Sequence, residues 1–129
     1  MSNKNILELK GLKKYFPIEE GLLSKTVGHV KAVDDVSFEV KKGETFALVG
    51  ESGCGKSTLA RCILRLHEPT EGEVVFKGRN ILKLEGKELK KVRRDIQIVF
   101  QDPYWSLNPR MLVKDIVAEP LEEHTDMSN

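Results

Sequence analysis

The chain has 129 residues, 40% hydrophobic and 32% charged, a composition that suits one globular domain with a modest core. Lys plus Arg number 21 against 20 Asp plus Glu, so the formal net charge is +1 and no global field selects nucleic acid or a membrane surface. Nothing in the sequence suggests a membrane span, and Met1-Ser2-Asn3-Lys4-Asn5 lacks the apolar core of a signal peptide, so a cytoplasmic protein is expected.

In chain order, Ile6-Leu7-Glu8-Leu9 reads as a first short strand ended by Gly11. Leu12 to Pro17 carries two adjacent aromatics, Tyr15 and Phe16, before a proline expected to stop regular pairing. An aromatic at such a break is a candidate for stacking on a base; a half-buried strand residue is the alternative. Ile18 to Gly28 reads as an inserted loop or hairpin, in which Leu22 and Leu23 are packing residues or a small contact surface. Val36, Phe38 and Val40 alternate with polar residues, the period of a strand with one solvated face. A turn at Lys41-Lys42-Gly43-Glu44 leads to a strand over Thr45–Val49.

A helix is expected from about Lys56 to near His67, stopped by the turn residues Glu68-Pro69-Thr70-Glu71-Gly72. Glu73–Lys77 is another strand, closed by Gly78. Leu84–Arg94 is a basic helix that Glu85 and Glu88 dilute, which favours a solvated face over a nucleic-acid or lipid surface. Ile96–Phe100 is β-branched and apolar, the pattern of a strand buried in a parallel sheet. Gln101 to Met111 has no regular period, Leu112, Val113, Ile116, Val117 and Leu121 outline a helix, and a polar tail closes the chain.

Between the strand at 45–49 and the helix lies Gly50-Glu51-Ser52-Gly53-Cys54-Gly55-Lys56-Ser57-Thr58, which fits the phosphate-binding loop G-x-x-x-x-G-K-[ST]. At ordinary residue frequencies a chance match in a chain this long arises in well under about one case in a hundred. The physics is local. Glycines let successive N–H groups turn inward into a nest beside a helix N-terminus, where unpaired N–H groups and the helix dipole favour an anion. Lys56 adds a point charge suited to β- and γ-phosphates, and the Ser57 hydroxyl suits Mg²⁺.

Cys54 and Cys62 are eight residues apart; on one helix that is roughly 12 Å, too far for a disulfide. Cys54 is read as a small residue at a free loop position. His29, His67 and His124 lie in no catalytic setting and are read as surface or packing residues. Gln101 follows the strand at 96–100, on the side where open α/β folds bind ligands. A hydrolytic site also needs an acid after a second apolar strand. Asp102 is the one formal candidate, and Gln101 before it and Pro103 after it argue against that role. The guanine-reading Asn-Lys-x-Asp pattern is absent.

Together, the aromatic at Tyr15/Phe16, the loop at Gly50 to Ser57 and the strand ending Val99-Phe100-Gln101-Asp102-Pro103 resemble the ATP-binding subunit of ABC transporters. The run Phe100 to Met111, FQDPYWSLNPRM, resembles its dipeptide/oligopeptide importer branch, as does Val30 to Phe38, VKAVDDVSF. The resemblance covers about Ile6 to Leu121 and implies an α/β fold: a P-loop NTPase (RecA-like) core with an N-terminal antiparallel β subdomain, reaching the start of a helical subdomain at about 101–121. It also implies ATP and Mg²⁺ as ligands. Phe16, with Tyr15 next, would stack on adenine; Gly50, Glu51, Ser52, Gly53, Cys54, Gly55, Lys56, Ser57 and Thr58 would cradle phosphates; Ser57 and Gln101 would reach Mg²⁺ or the attacking water.

Implied partners are transmembrane permease subunits and a second ATP-binding subunit, at the inner face of the cell membrane. The signature motif, the catalytic glutamate and the switch histidine of the family lie beyond this sequence. An N-terminal part of a longer ATPase is therefore expected, binding nucleotide at most and prone to self-association through unpaired strands. A nucleotide-binding module without turnover is the alternative, and a P-loop small-molecule kinase the more distant one.

Overall fold

A computed structural model describes residues 5–20 and 25–125. Two long strands, β1 (Asn5–Glu20) and β2 (Lys25–Lys41), form an antiparallel hairpin, and β1 pairs on its other side with β3 (Glu71–Phe76). With β4 (Arg79–Asn80) they make a four-stranded antiparallel sheet in the order β2-β1-β3-β4. The N-terminal antiparallel subdomain expected from the sequence is therefore present. Contacts divide the chain into two units, residues 1–84 and 85–129.

Leu9 and Leu12 are both fully buried although an odd spacing in a regular strand sends side chains to opposite faces. The register explains this. The β1–β2 pairing shifts between Leu9 and Leu12 and again before Lys14, around Gly11 at φ 54° and Asp35 at φ 55°. A bulge re-aims the strand there, and the Gly11 N–H donates to Ser37 Oγ at 2.8 Å. The strand does not end at Gly11.

Nor does Pro17 stop the pairing: it lies opposite His29, and the hairpin runs on to Glu20 and Lys25. Beyond Lys13, among the described residues, β2 is the one strand laddered to β1, so proline's missing N–H lies where the sheet has narrowed to a two-stranded ribbon, which tolerates it. The insertion at 18–28 is thus the far end of a hairpin. Leu22 and Leu23 lie outside the described residues.

Helix α1 (Lys56–Ile63) places Leu59 and Cys62, three residues apart, against the sheet, and both are buried. It ends short of His67 in a Schellman motif. Arg65 takes φ 51°, its N–H donates to Cys62 O at 3.0 Å, and the Leu66 N–H donates to Arg61 O at 2.8 Å. Lys77 and Gly78, at φ 48° and 77°, form the two-residue turn between β3 and β4. Asn80 Oδ1 then caps a 3-10 turn over Ile81–Lys83, and Arg65 Nη1 donates to Ile81 O at 3.3 Å and to Leu84 O. The core of this unit is Leu9, Leu12, Val33, Leu59, Cys62, Val74, Phe76 and Ile81.

In the second unit, α2 (Gly86–Asp95) and α4 (Val113–His124) are joined by Lys90–Glu123 at 2.9 Å, which holds the Glu123 carboxyl below its usual range. The basic helix starts two residues later than the sequence suggests. A one-turn helix, α3 (Pro103–Ser106), interrupts the segment read as irregular. The end of the chain from Asp126 lies outside the described residues.

Two expected strands are not formed. Neither 45–49 nor 96–100 is in a ladder, and Val49 is 88% and Val99 97% exposed. A parallel core strand is held by hydrogen bonds from neighbouring strands on the same sheet, and among the described residues these segments have no such partner. Apolar, β-branched sequence supplies the propensity but not the neighbour.

Candidate phosphate-binding site

The approach to the loop is fixed from both ends. The turn at 41–44 forms as expected, with the Lys41 N–H donating to Glu44 Oε2 at 2.7 Å, and Phe46 stacks on Phe38 of β2 with ring centres 4.5 Å apart. At the other end the first α-helical bond of α1 runs from the Leu59 N–H to Gly55 O at 2.9 Å. The N–H groups of Lys56, Ser57 and Thr58 precede that bond, so they are the donors a helix start offers to an anion.

Gly55, at φ 94°, turns the chain into the helix. A Cβ there would stand 2.1 Å from Ala32 O of β2, so the close approach of loop and strand excludes any side chain. Gly53, at φ 81°, provides a left-handed turn. A Cβ on Gly50 would meet Cys54 Sγ at 2.7 Å.

The Lys56 ammonium folds back over the loop. It donates to Gly50 O and to Glu51 O, each at 2.6 Å, and lies 3.3 Å from Cys54 Sγ. The positive charge is thereby centred on the loop. Ser57 is exposed at the first turn of α1, with its hydroxyl accessible. The donor set fits a polyphosphate with a divalent cation: backbone N–H groups and an ammonium for oxygens, a hydroxyl for the metal.

A cavity of about 390 Å³ opens beside the loop, lined by Cys54, Gly55 and Lys56, by Lys31 and Asp34 of β2, and by the apolar side chains beneath them. Tyr15 is on the same side. Its hydroxyl donates to Asp34 Oδ1, and Lys31 Nζ lies 3.3 Å from Asp34 Oδ2 and 5.2 Å from the centre of the Tyr15 ring. The bond from Tyr15, and after it Lys31, holds the Asp34 carboxyl below its usual range; the same bond raises the Tyr15 phenol. Phe16 has different neighbours. The edge of His67 meets its ring at 5.8 Å between centres, and Lys14 Nζ lies 4.8 Å from its centroid.

So the structure brings together Gly50 to Thr58 and, through Lys31 and Asp34, the Tyr15 side chain. Gln101 is exposed and belongs to the second unit. Asp102 caps α3, its Oδ1 accepting from the Tyr104 N–H at 3.0 Å. Lys31 and Asp34 were not legible as site residues, because only the register that sets Tyr15 opposite Lys31 brings them near the loop. The signal available was the pairing counted outward from the hairpin end at Glu20 and Lys25, which reaches that register after one shift.

The ABC transporter family model matches residues 33–128. The oligopeptide transport ATP-binding protein AppF of Bacillus subtilis is 56% identical over 124 residues, 95% of this chain and 38% of that protein. The dipeptide transport ATP-binding protein DppF of Haemophilus influenzae is 49% identical over 126 residues, 98% of this chain and again 38% of that protein. The chain thus spans little more than a third of the length of these relatives. A dimeric, post-hydrolysis-state structure of the ATP-binding cassette MJ0796, bound to ADP and Pi, superposes with a TM-score of 0.76 at 29% identity, over 95% of this chain and 50% of that one. With a nucleotide-bound cassette sharing its fold and a family model matched from β2 to beyond α4, the chain belongs to the ABC transporter family.

Proposed function

We propose that this chain carries the MgATP-binding part of the ATP-binding subunit of an importer of dipeptides or oligopeptides. The observation that carries the proposal is the Lys56 ammonium centred on a glycine loop whose Gly55 admits no side chain, at the start of α1. In this reading Gly50, Glu51, Ser52, Gly53, Cys54, Gly55 and Thr58 wrap the phosphates, and Lys56 neutralises the β- and γ-oxygens. Phe16 or Tyr15 supplies the platform for adenine. Ser57 would hold Mg²⁺, whose charge would offset that of the phosphate oxygens. Residues 101–121 open the helical subdomain.

The peptide substrate class is supported by the relatives AppF and DppF, whose names place them in oligopeptide and dipeptide transport. Permease subunits and a second ATP-binding subunit are the partners that reading implies, at the inner face of the cell membrane. Among the described residues no helix is long and apolar enough to cross a membrane.

Titration of MgATP into the chain tests the reading. Lys56→Ala removes a charge-assisted contact worth about 1.5–3 kcal/mol, so affinity should fall roughly tenfold to a hundredfold or more. Unchanged affinity would overturn it. A second reading, that the 129-residue chain binds nucleotide without turning it over, is favoured by the unpaired segments at 45–49 and 96–100. It predicts negligible steady-state ATPase, and turnover that disappears in Lys56→Ala would contradict it.

A further inference from the structure

The cavity beside the phosphate loop has a second chemical wall. Lys31 and Asp34 line it together with Lys56, and Tyr15 reaches across the hairpin to Asp34. Each carboxylate oxygen of Asp34 has one donor: Oδ1 accepts from the Tyr15 hydroxyl, and Oδ2 from Lys31 Nζ at 3.3 Å. An ionised carboxylate offers about four acceptor positions, so two remain, and the Asp34 side chain is 46% exposed. An exposed ion pair of this kind adds little to stability. What the two contacts do is fix the direction of an acceptor-only group on the wall of the site.

We propose that Asp34, oriented by Tyr15 and Lys31, accepts hydrogen bonds from the ribose hydroxyls of the nucleotide whose phosphates the loop holds. The proposal rests on reading the loop as a nucleoside triphosphate site, and it makes Asp34 a specificity-determining residue. The sugar is joined directly to the α-phosphate, so the part of the ligand next to the phosphates is the ribose. A vicinal diol presents two O–H donors, and an acidic side chain bound to ribose hydroxyls is the same solution that dinucleotide-binding folds use. Lys31 has no acceptor and cannot take this part. Its charge instead offsets that of Asp34, which lets a carboxylate share a cavity with a polyphosphate without net repulsion.

The test compares ATP with 2′,3′-dideoxy-ATP, both with Mg²⁺, titrated into the full 129-residue chain and its variants. The unaltered chain should bind ATP about tenfold more tightly than the dideoxy analogue, the loss of hydrogen bonds to a charged group. Asp34→Ala should bind both with the affinity of the unaltered chain for the analogue. Asp34→Asn keeps the shape with a weaker acceptor and should retain part of the preference; it carries the comparison if Asp34→Ala melts early by circular dichroism. Tyr15→Phe removes the hydroxyl that holds Oδ1 and should reduce the preference to about threefold.

Lys56→Ala should weaken both ligands. No preference in the unaltered chain, or a preference that persists in Asp34→Ala, would overturn the sugar contact while Lys56-dependent binding leaves the phosphate site standing. Absence of binding by either nucleotide would overturn both.

Discussion

The two units of the chain differ in how their apolar residues are covered. Residues 5–84 contribute eight buried hydrophobic side chains, whereas among the described residues of the second unit only Val92 is buried. In the first unit each strand has a partner: β1 meets β2 across a hairpin, β3 meets β4 across a two-residue turn, and β3 pairs back to β1 across β2 and α1 in the chain. In the second, α4 is amphipathic in pattern, yet Leu112, Val113, Val117 and Leu121 are exposed, as are Tyr104 and Trp105. The same physical propensity yields a core in one place and bare elements in the other, because burial needs a second surface as well as a pattern.

Core truncation should break this comparison most sharply. Leu12 has no exposed surface, and Leu12→Ala should cost about 2–5 kcal/mol of stability through lost transfer energy and a cavity. Leu121→Ala, on an exposed face of α4, should change stability by less than about 0.5 kcal/mol. Urea midpoints of the two variants decide the matter, and equal shifts would mean that the two units are covered alike.

A smaller effect separates the two thiols within the first unit. Cys54 is exposed in the loop, while Cys62 is buried in α1 and burial pushes its thiol up. A maleimide at neutral pH should modify Cys54 quickly and Cys62 only on unfolding, and MgATP should slow the reaction at Cys54. Two thiols reacting at one rate would show that α1 does not hold Cys62 against the sheet.

Much of this organisation could be read from residues. The phosphate loop is a local device, and Gly50, Gly53, Gly55 and Lys56 carry their geometry in their own chemistry. The start of α1, the turn at 41–44 and the helix at 113–124 were legible for the same reason: caps, glycines and a 3.6-residue period act over a few positions. What escaped was non-local. Pro17 signals a stop unless its neighbour strand is known, and the burial of both Leu9 and Leu12 depends on a bulge that the alternation itself argues against. Asp34 and Lys31 join the site only through the hairpin register. The segments at 45–49 and 96–100 fail in the opposite sense: strand propensity is legible there, but the ladder partner is not found among the described residues.

The central claim is that the loop of the first unit, centred on Lys56, is where nucleotide binds, and amide hydrogen exchange with and without MgATP tests it most directly. The account predicts that exchange slows by about tenfold or more across residues 50–58, where the N–H groups would turn to phosphate oxygens, with little change along α4 and, at the same MgATP concentration, much less slowing in Lys56→Ala. Exchange at 50–58 that is indifferent to MgATP, or slowing as large in Lys56→Ala at the same concentration, would contradict it.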